Sequence, residues 1–103
     1  MNWTEIIRVR IGGATPYRDI TRLLFSLRKA AQWDGLRSAR VFSRAGLPAS
    51  DFSIHLEWQI EGLPSGGSEL GICLARVLKD YGLTDHNVWM EEEEEDETAV
   101  YSR

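Results

Sequence analysis

The chain has 103 residues, 43% of them hydrophobic and 27% charged, which is the size and balance of one ordinary globular domain. Its formal net charge is −4, but Glu91 to Glu97 is an unbroken acidic run, and the remainder would carry about +3 without it. The arginines are scattered rather than gathered in a dense basic stripe, which argues against a nucleic-acid-binding protein.

The first predicted elements are a strand and a helix. Thr4 to Ile11 alternates apolar and polar residues with a period of two, which predicts a strand ending at Gly12-Gly13. Thr15-Pro16 predicts a helix start, because threonine caps helices and proline is tolerated at the first helical position. One apolar stripe at helical spacing follows: Ile20, Leu23, Leu24, Leu27 and Ala31. Trp33-Asp34-Gly35 is expected to end this helix.

Two further strands are predicted in the centre of the chain. Ser38 to Arg44 alternates, with Phe42 on the same side as its arginines. Asp51 to Ile60 gives the clearest strand, since every second residue from Phe52 onward is apolar. The connector Ala45 to Ser50 is rich in turn formers and suggests a hairpin.

The last predicted elements are a second helix and a short strand. Ser68 can cap the helix after a flexible loop at Gly62 to Gly67, and Gly82 can end it. The helix's predicted buried stripe is Leu70, Leu74, Val77, Leu78 and Tyr81. The alternation of Val88 and Met90 with Trp89 predicts a last strand from Asn87 to about Glu91. His86 is expected in the turn before it. Residues 1–92 are therefore expected to form one domain, and residues 93–103 an acidic, disordered tail.

Cysteine usage and hydropathy bear on the cellular setting. Cys73 alone cannot form an internal disulfide, and no cysteine–histidine cluster has the spacing of zinc ligands. No apolar run approaches the roughly 20 residues of a membrane span, and Met1 to Glu5 lacks the basic start of a signal peptide. We expect a cytoplasmic protein with no membrane partner, no metal and no cofactor.

The order strand–helix–strand–strand–helix–strand predicts an α+β, ferredoxin-like antiparallel sheet with both helices on one face. The other face would be open. It would carry Arg8, Arg10, Arg40, Phe42, Arg44, His55, Glu57, Gln59 and Trp89. An uncovered face with large aromatic residues indicates a partner surface. We expect a homodimer in which two such faces meet and the arginines pair with Glu57 and its equivalents.

The chain resembles the dimeric α/β barrel superfamily, especially its antibiotic-biosynthesis-monooxygenase-like branch, from Thr4 to about Glu92. The resemblance rests on the strand that begins Ile6-Ile7-Arg8-Val9, on the strand Phe52 to Trp58, and on the helix Leu70 to Tyr81 followed by His86 to Trp89. It implies that two ferredoxin-like subunits close an eight-stranded barrel.

The resemblance also bears on chemistry. Some members of this branch oxidise polycyclic aromatic substrates without metal or organic cofactor, whereas others bind or degrade haem. Trp33 lies near the end of the first predicted helix, but no histidine lies on that helix. The Asn-Trp-His constellation of the haem-degrading members is therefore not evident, and haem chemistry is not expected.

The candidate catalytic residues are His55, Arg8 and Arg40. His55 and Glu57 are two apart on a strand and share a face, so that glutamate could orient a histidine base. Arg8 or Arg40 could stabilise developing negative charge. The structural alternative is that these residues form interface contacts and cross-strand ion pairs.

The candidate ligand-binding residues are aromatic: Trp33, Trp58, Phe52, Tyr81 and Trp89. They could line a pocket for a flat aromatic ligand between sheet and helices, or they could simply fill the core. Strand alternation places His55 on the face opposite Trp58, so one pocket would not naturally contain both.

Two functions remain open from the sequence. The first is a small-molecule-binding dimeric barrel that acts as a cofactor-independent monooxygenase on an aromatic substrate. The second is a dimeric module without enzymatic activity that binds a ligand or belongs to a larger assembly. The sequence leaves open whether the chain is an enzyme.

Overall fold

The computed structural model describes residues 1–11, 17–29 and 33–92. Six elements follow one another in the predicted order: β1 (Asn2–Ile11), α1 (Tyr17–Lys29), β2 (Leu36–Arg44), β3 (Leu47–Gln59), α2 (Glu69–Lys79) and β4 (Gly82–Met90). The ferredoxin-like α+β class is thereby confirmed. The predicted first-helix start at Thr15-Pro16 and the acidic tail at residues 93–103 lie outside the described residues. The tail and the domain boundary at residue 92 stay predictions.

The four strands form one antiparallel sheet in the order β2-β3-β1-β4. The central strand β1 pairs with β3 on one side and with β4 on the other. Ile6, for example, lies opposite His55 in β3 and opposite Asn87 in β4. The order places the first and last strands side by side, with β4 at one edge of the sheet.

The hydrophobic core lies between the sheet and the two helices, as the alternation predicts. Buried residues from β1, β3, both helices and the loop before α2 form a single cluster: Ile7, Val9, Ile11, Ile20, Phe52, Ile54, Leu56, Trp58, Leu63, Leu70, Leu74, Ala75 and Leu78. Each large apolar side chain buried there contributes about 1.5–3 kcal/mol. In α1, Ile20 is buried and Leu23 packs partly against the cluster, while Leu24, Leu27 and Ala31 lie outside what is described of side chains.

Several predicted boundaries were wrong, because strand pairing extends further than local alternation indicates. The β2–β3 hairpin turns at Ala45-Gly46, so β3 begins at Leu47 rather than Asp51. Trp33 to Gly35 form the turn before β2, in which the Leu36 amide donates to the Trp33 carbonyl at 3.0 Å. The prediction that Val77 belongs to the buried stripe of α2 was also wrong, because this residue is 40% exposed.

The end of α2 also differs from the prediction. Asp80 is the C-cap of α2, and Gly82 already belongs to β4. A Cβ at Gly82 would overlap the Arg10 carbonyl oxygen of β1, so glycine serves a close approach of two strands there, not the end of a helix. Because β4 pairs with β1 along its whole length, His86 lies inside this strand, not in a turn.

No helix among the described residues is long and apolar enough to cross a membrane.

Candidate functional site

A carboxylate is buried in the layer between sheet and helices. Glu5 lies on the same face of β1 as Ile7 and Val9, and it is 0% exposed. An ionised carboxylate in such a position costs several kcal/mol unless hydrogen bonds and an opposite charge compensate it. The groups around Glu5 must therefore compensate its burial, and they define the candidate site.

Four hydrogen bonds converge on the Glu5 carboxylate. Oε1 accepts from the Trp58 indole Nε1 at 3.0 Å and from the Ser68 hydroxyl at 2.6 Å. Oε2 accepts from the Ser68 backbone amide at 3.0 Å and lies 2.6 Å from His86 Nε2. An ionised carboxylate only accepts, so with Glu5 in that form the proton of this contact lies on Nε2. Residues from β1, β3, β4 and the start of α2 thus meet at one group.

The start of α2 is shaped around this carboxylate. Ser68 is the N-cap of α2, and its hydroxyl also accepts from the Gly71 amide at 2.9 Å. The positive end of a helix dipole stabilises a nearby negative charge. A Cβ at Gly71 would overlap Glu5 Oε2, and one at Gly67 would lie 2.7 Å from His86 Nε2. Both glycines make room for the Glu5–His86 pair.

His86 connects the buried carboxylate to the surface. Its side chain is 15% exposed, whereas that of Glu5 is 0% exposed. The other ring nitrogen, Nδ1, has no hydrogen bond to the described residues. Within that part of the chain, the only buried polar side-chain atom without a partner is Trp3 Nε1. Nδ1 of His86 therefore reaches solvent.

A cavity of about 330 Å³ lies beside His86, between α2 and β4. Ile72, Arg76 and Lys79 contribute from α2, and Thr84 contributes from β4. A histidine held by a carboxylate on one nitrogen and open on the other is arranged to accept or donate a proton. No group of three His, Cys, Asp or Glu side chains in the described ranges is arranged to hold a metal ion.

The predicted base, His55, lies on the opposite, open face of the sheet. The β2–β3 register sets it across from Arg40. His55 Nε2 lies 2.7 Å from the Ser53 hydroxyl, and its ring centre lies 4.6 Å from that of Phe42. Burial lowers the pKa of His55 below its usual 6.5, although Glu57 acts in the opposite direction. A cavity of about 260 Å³ brings His55 together with Arg8 and Trp89.

Three of the four arginines on this face already have acidic partners within the chain. Arg8 forms an ion pair with Asp85, while Arg10 and Arg44 each lie 3.1 Å from Asp51. These contacts hold the pKa of both aspartates below the usual value. For Asp85 the main cause is the hydrogen bond from Arg8. For Asp51, burial raises the pKa, but the hydrogen bonds and charges of Arg10 and Arg44 together lower it further. The fourth, Arg40, makes no ion pair with any described residue.

Of the five predicted ligand-binding aromatic residues, Trp58 and Trp89 line one cavity of about 350 Å³, and the other three are not part of its lining. Trp58 and Phe52 are buried in the core, Tyr81 packs partly against it, and Trp33 is exposed. Trp89 is 60% exposed and lies on the open face. Among the five, Trp58 alone has a polar role in the site around Glu5.

The sequence reasoning missed Glu5, Ser68 and His86 as members of one site. The sequence does contain an indication of this site. Glu5 is separated from Ile7 and Val9 by steps of two residues and therefore lies on their apolar face of the strand. An acidic residue on such a face needs a buried partner. His86 likewise shares the parity of Val88. Local alternation predicts the start of the last strand at Asn87, which leaves His86 in the preceding turn.

Comparisons with known proteins show the same fold. No protein-family model matches the sequence, and no curated protein matches it significantly. The solved structure of Rv0793 from Mycobacterium tuberculosis matches with a TM-score of 0.67 and 13% identity, covering 93% of this chain and 100% of that one.

Two further structures carry functional descriptions. SnoaB from Streptomyces nogalater, a cofactor-independent oxygenase solved in a mutant form, matches with a TM-score of 0.58 and 13% identity, over 90% of this chain and 95% of its own. A candidate antibiotic biosynthesis monooxygenase from Deinococcus radiodurans matches with a TM-score of 0.63 and 17% identity, over 93% and 97%. The fold of the antibiotic-biosynthesis-monooxygenase-like proteins, expected from the sequence resemblance, is thereby confirmed.

Proposed function

We propose that this protein is a homodimeric enzyme of the cofactor-independent monooxygenase type, that it acts on a small aromatic substrate, and that His86 is its catalytic base. The observation that carries the proposal is the 2.6 Å contact between His86 Nε2 and the completely buried Glu5. The reaction class is supported by the shared fold with SnoaB, a cofactor-independent oxygenase.

The Glu5–His86 pair suits proton abstraction from a carbon or phenol acid. Nε2 donates to Glu5, so the lone pair of Nδ1 is free to take the substrate proton. The negative charge of Glu5 stabilises the imidazolium that forms. The carboxylate is fixed by three other hydrogen bonds, and little reorganisation is needed when the charge develops.

The proposed chemistry needs no external reductant, because the substrate is oxidised. An activated CH₂ group of an aromatic ring system loses a proton to His86, and the carbanion gives one electron to O₂. A C–O bond forms between the two resulting radicals, and protonation by His86 gives a hydroperoxide. Loss of water then leaves a ketone, so that CH₂ and O₂ become C=O and H₂O. The protein supplies the base and orients the substrate.

The open face of the sheet is the proposed dimer interface. Phe42 is 45% exposed, Leu83 79% and Trp89 60%, and a soluble protein rarely leaves so many large apolar side chains on one face without a partner. Arg40 and Glu57 lie on the same face and carry opposite charges that a second copy can pair. This arrangement would also enclose His55 and its cavity within a barrel.

Oxygen consumption tests the proposed activity. Purified protein is mixed with phenols, hydroquinones and anthrone-type compounds, and the rate is compared with that of His86→Gln. Removing a general base lowers turnover by about 10²–10⁴-fold, and we expect a loss in that range. Arg22→Gln, at an exposed position on α1, is the control and should retain the full rate.

Two outcomes would contradict the proposal. One is a His86→Gln variant that folds normally, by circular dichroism, and turns over at the wild-type rate. The other is the absence of oxygen consumption with every compound, which would favour the dimeric module without enzymatic activity.

A further inference from the structure

We infer that the cavity between α2 and β4 is an oxyanion subsite, in which Arg76 and Lys79 bind a carboxylate or phosphate group of the small-molecule ligand. The inference rests on the proposed function in one respect, since it places the rest of the ligand at His86. Binding of the anion itself does not depend on turnover.

The shape of the cavity follows from two periodicities. Ile72, Arg76 and Lys79 are four and three residues apart on α2 and therefore share one face of the helix. Thr84 and His86 are two apart on β4 and share one face of the strand. The helix face and the strand face form the two walls of the 330 Å³ cavity.

The charge of the cavity is positive. Neither Arg76 nor Lys79 makes an ion pair with any residue of the described ranges. Among the described residues that line the cavity, the one carboxylate is Asp85, which is already paired with Arg8. A guanidinium and an ammonium without acidic partners beside a cavity attract oxyanions, and arginine can bind both oxygens of a carboxylate or phosphate at once.

The remaining lining indicates the size and nature of the ligand. Ile72 and Ala75 supply apolar surface against which a ring can pack. The volume lies at the lower end of the roughly 300–1,000 Å³ range of ligand sites, which favours one small ring system over a large polycyclic one. His86 also lines this cavity, so a ring anchored by its anionic group can present its other end to this histidine.

Cations in the last turn of a helix also stabilise it through the helix dipole. Arg76 and Lys79 both lie in that turn of α2. The structural role and the ligand-binding role differ in their readout: the first changes the free energy of unfolding alone, whereas the second changes the affinity for an anion.

Isothermal titration calorimetry tests the inference with three probes: 4-hydroxybenzoate, the neutral 4-hydroxybenzyl alcohol, and inorganic phosphate. We expect the wild type to bind the benzoate at least tenfold more tightly than the alcohol, and phosphate to compete with it. In the double variant Arg76→Gln/Lys79→Gln this preference should disappear. Arg22→Gln, which removes one exposed cation from α1, should keep it.

The outcomes separate the possible sources of the anion. Tight binding of the benzoate with weak competition by phosphate identifies a carboxylate site. Tight binding of phosphate with weak binding of the benzoate identifies a phosphate site. Equal affinity for the acid and the alcohol would overturn the inference, as would a double variant that binds like the wild type. A double variant that loses stability without any change in anion preference would assign the two cations to the helix dipole alone.

The failure of this inference is distinguishable from failure of the proposed function. His86→Gln should lose turnover but still prefer the benzoate over the alcohol, because Arg76 and Lys79 are intact. Anion preference without oxygen consumption by any variant would refute the oxygenase and leave the subsite standing. Oxygen consumption without anion preference would refute the subsite and leave the proposed oxygenase activity standing.

Discussion

Replacing Gly71 by alanine tests the position of the buried carboxylate. In the interior of an exposed helix this change is stabilising by about 1 kcal/mol, because alanine has the higher helix propensity. Gly71 lies in the first turn of α2, directly above Glu5. Its new Cβ would overlap Oε2 of Glu5 and lie 2.7 Å from Oε1. We therefore expect the opposite sign.

The expected magnitude follows from what the new methyl group displaces. Overpacking a filled site costs about 1–3 kcal/mol. A hydrogen bond to a charged group contributes about 1.5–3 kcal/mol, and a shifted carboxylate would lose at least one of its four. Against the gain in helix propensity, a net loss of about 3 kcal/mol is expected. For a domain of this size that corresponds to a fall of about 12 °C in Tm.

Urea unfolding followed by circular dichroism, with a thermal scan, measures this effect. Gly66→Ala is the matched control, because a Cβ there meets nothing within 4 Å, and it should change stability by less than about 0.5 kcal/mol. In a Glu5→Ala background the overlap is removed, so adding Gly71→Ala should restore about 1 kcal/mol. A Gly71→Ala variant of the wild type that is as stable as its parent, or more stable, would refute the placement of Glu5 under α2.

Two further predictions concern the open face of the sheet. Phe42→Glu should convert the proposed dimer to a monomer in light scattering, because it buries a charge in the interface. Val77→Glu, at a similarly exposed apolar position on α2, should remain dimeric. A monomeric wild type would contradict the interface itself. His55 should make the protein less stable as the pH falls below about 6.5: its folded pKa is lowered, so the unfolded chain takes up a proton before the native one does. The loss of stability should end once the pH has passed the folded pKa, and His55→Gln should be less sensitive over this interval in urea unfolding. An unchanged pH dependence in that variant would remove His55 as its source.

The fold was predictable because it depends on patterns that local sequence carries. Alternation in Asp51 to Ile60 and the helical spacing of Leu70, Leu74 and Leu78 fixed which faces are buried, and the structure confirms them. The ends of β3 and β4 were not predictable in the same way. They depend on pairing with strands distant in the sequence, and Gly82 is needed where β4 approaches Arg10 of β1.

The candidate site was hidden from the sequence for a related reason. Glu5 and His86 are 81 residues apart, and only the β1–β4 pairing makes them neighbours. Alternation alone placed His55 and Glu57 on one face correctly, but it could not rank that pair against one formed by a distant contact. An acidic residue at a strand position that alternation assigns to the apolar face, such as Glu5, is the feature from which such a site can be predicted.

The most direct test of the account compares the two histidines of this chain in one oxygen-consumption assay. His86→Gln and His55→Gln remove the same chemical group from opposite faces of the sheet. If His86 is the base, its replacement lowers turnover by about 10²–10⁴-fold, while His55→Gln retains activity within a few-fold. Loss of activity in His55→Gln with retention in His86→Gln would contradict the account and assign the chemistry to the open face.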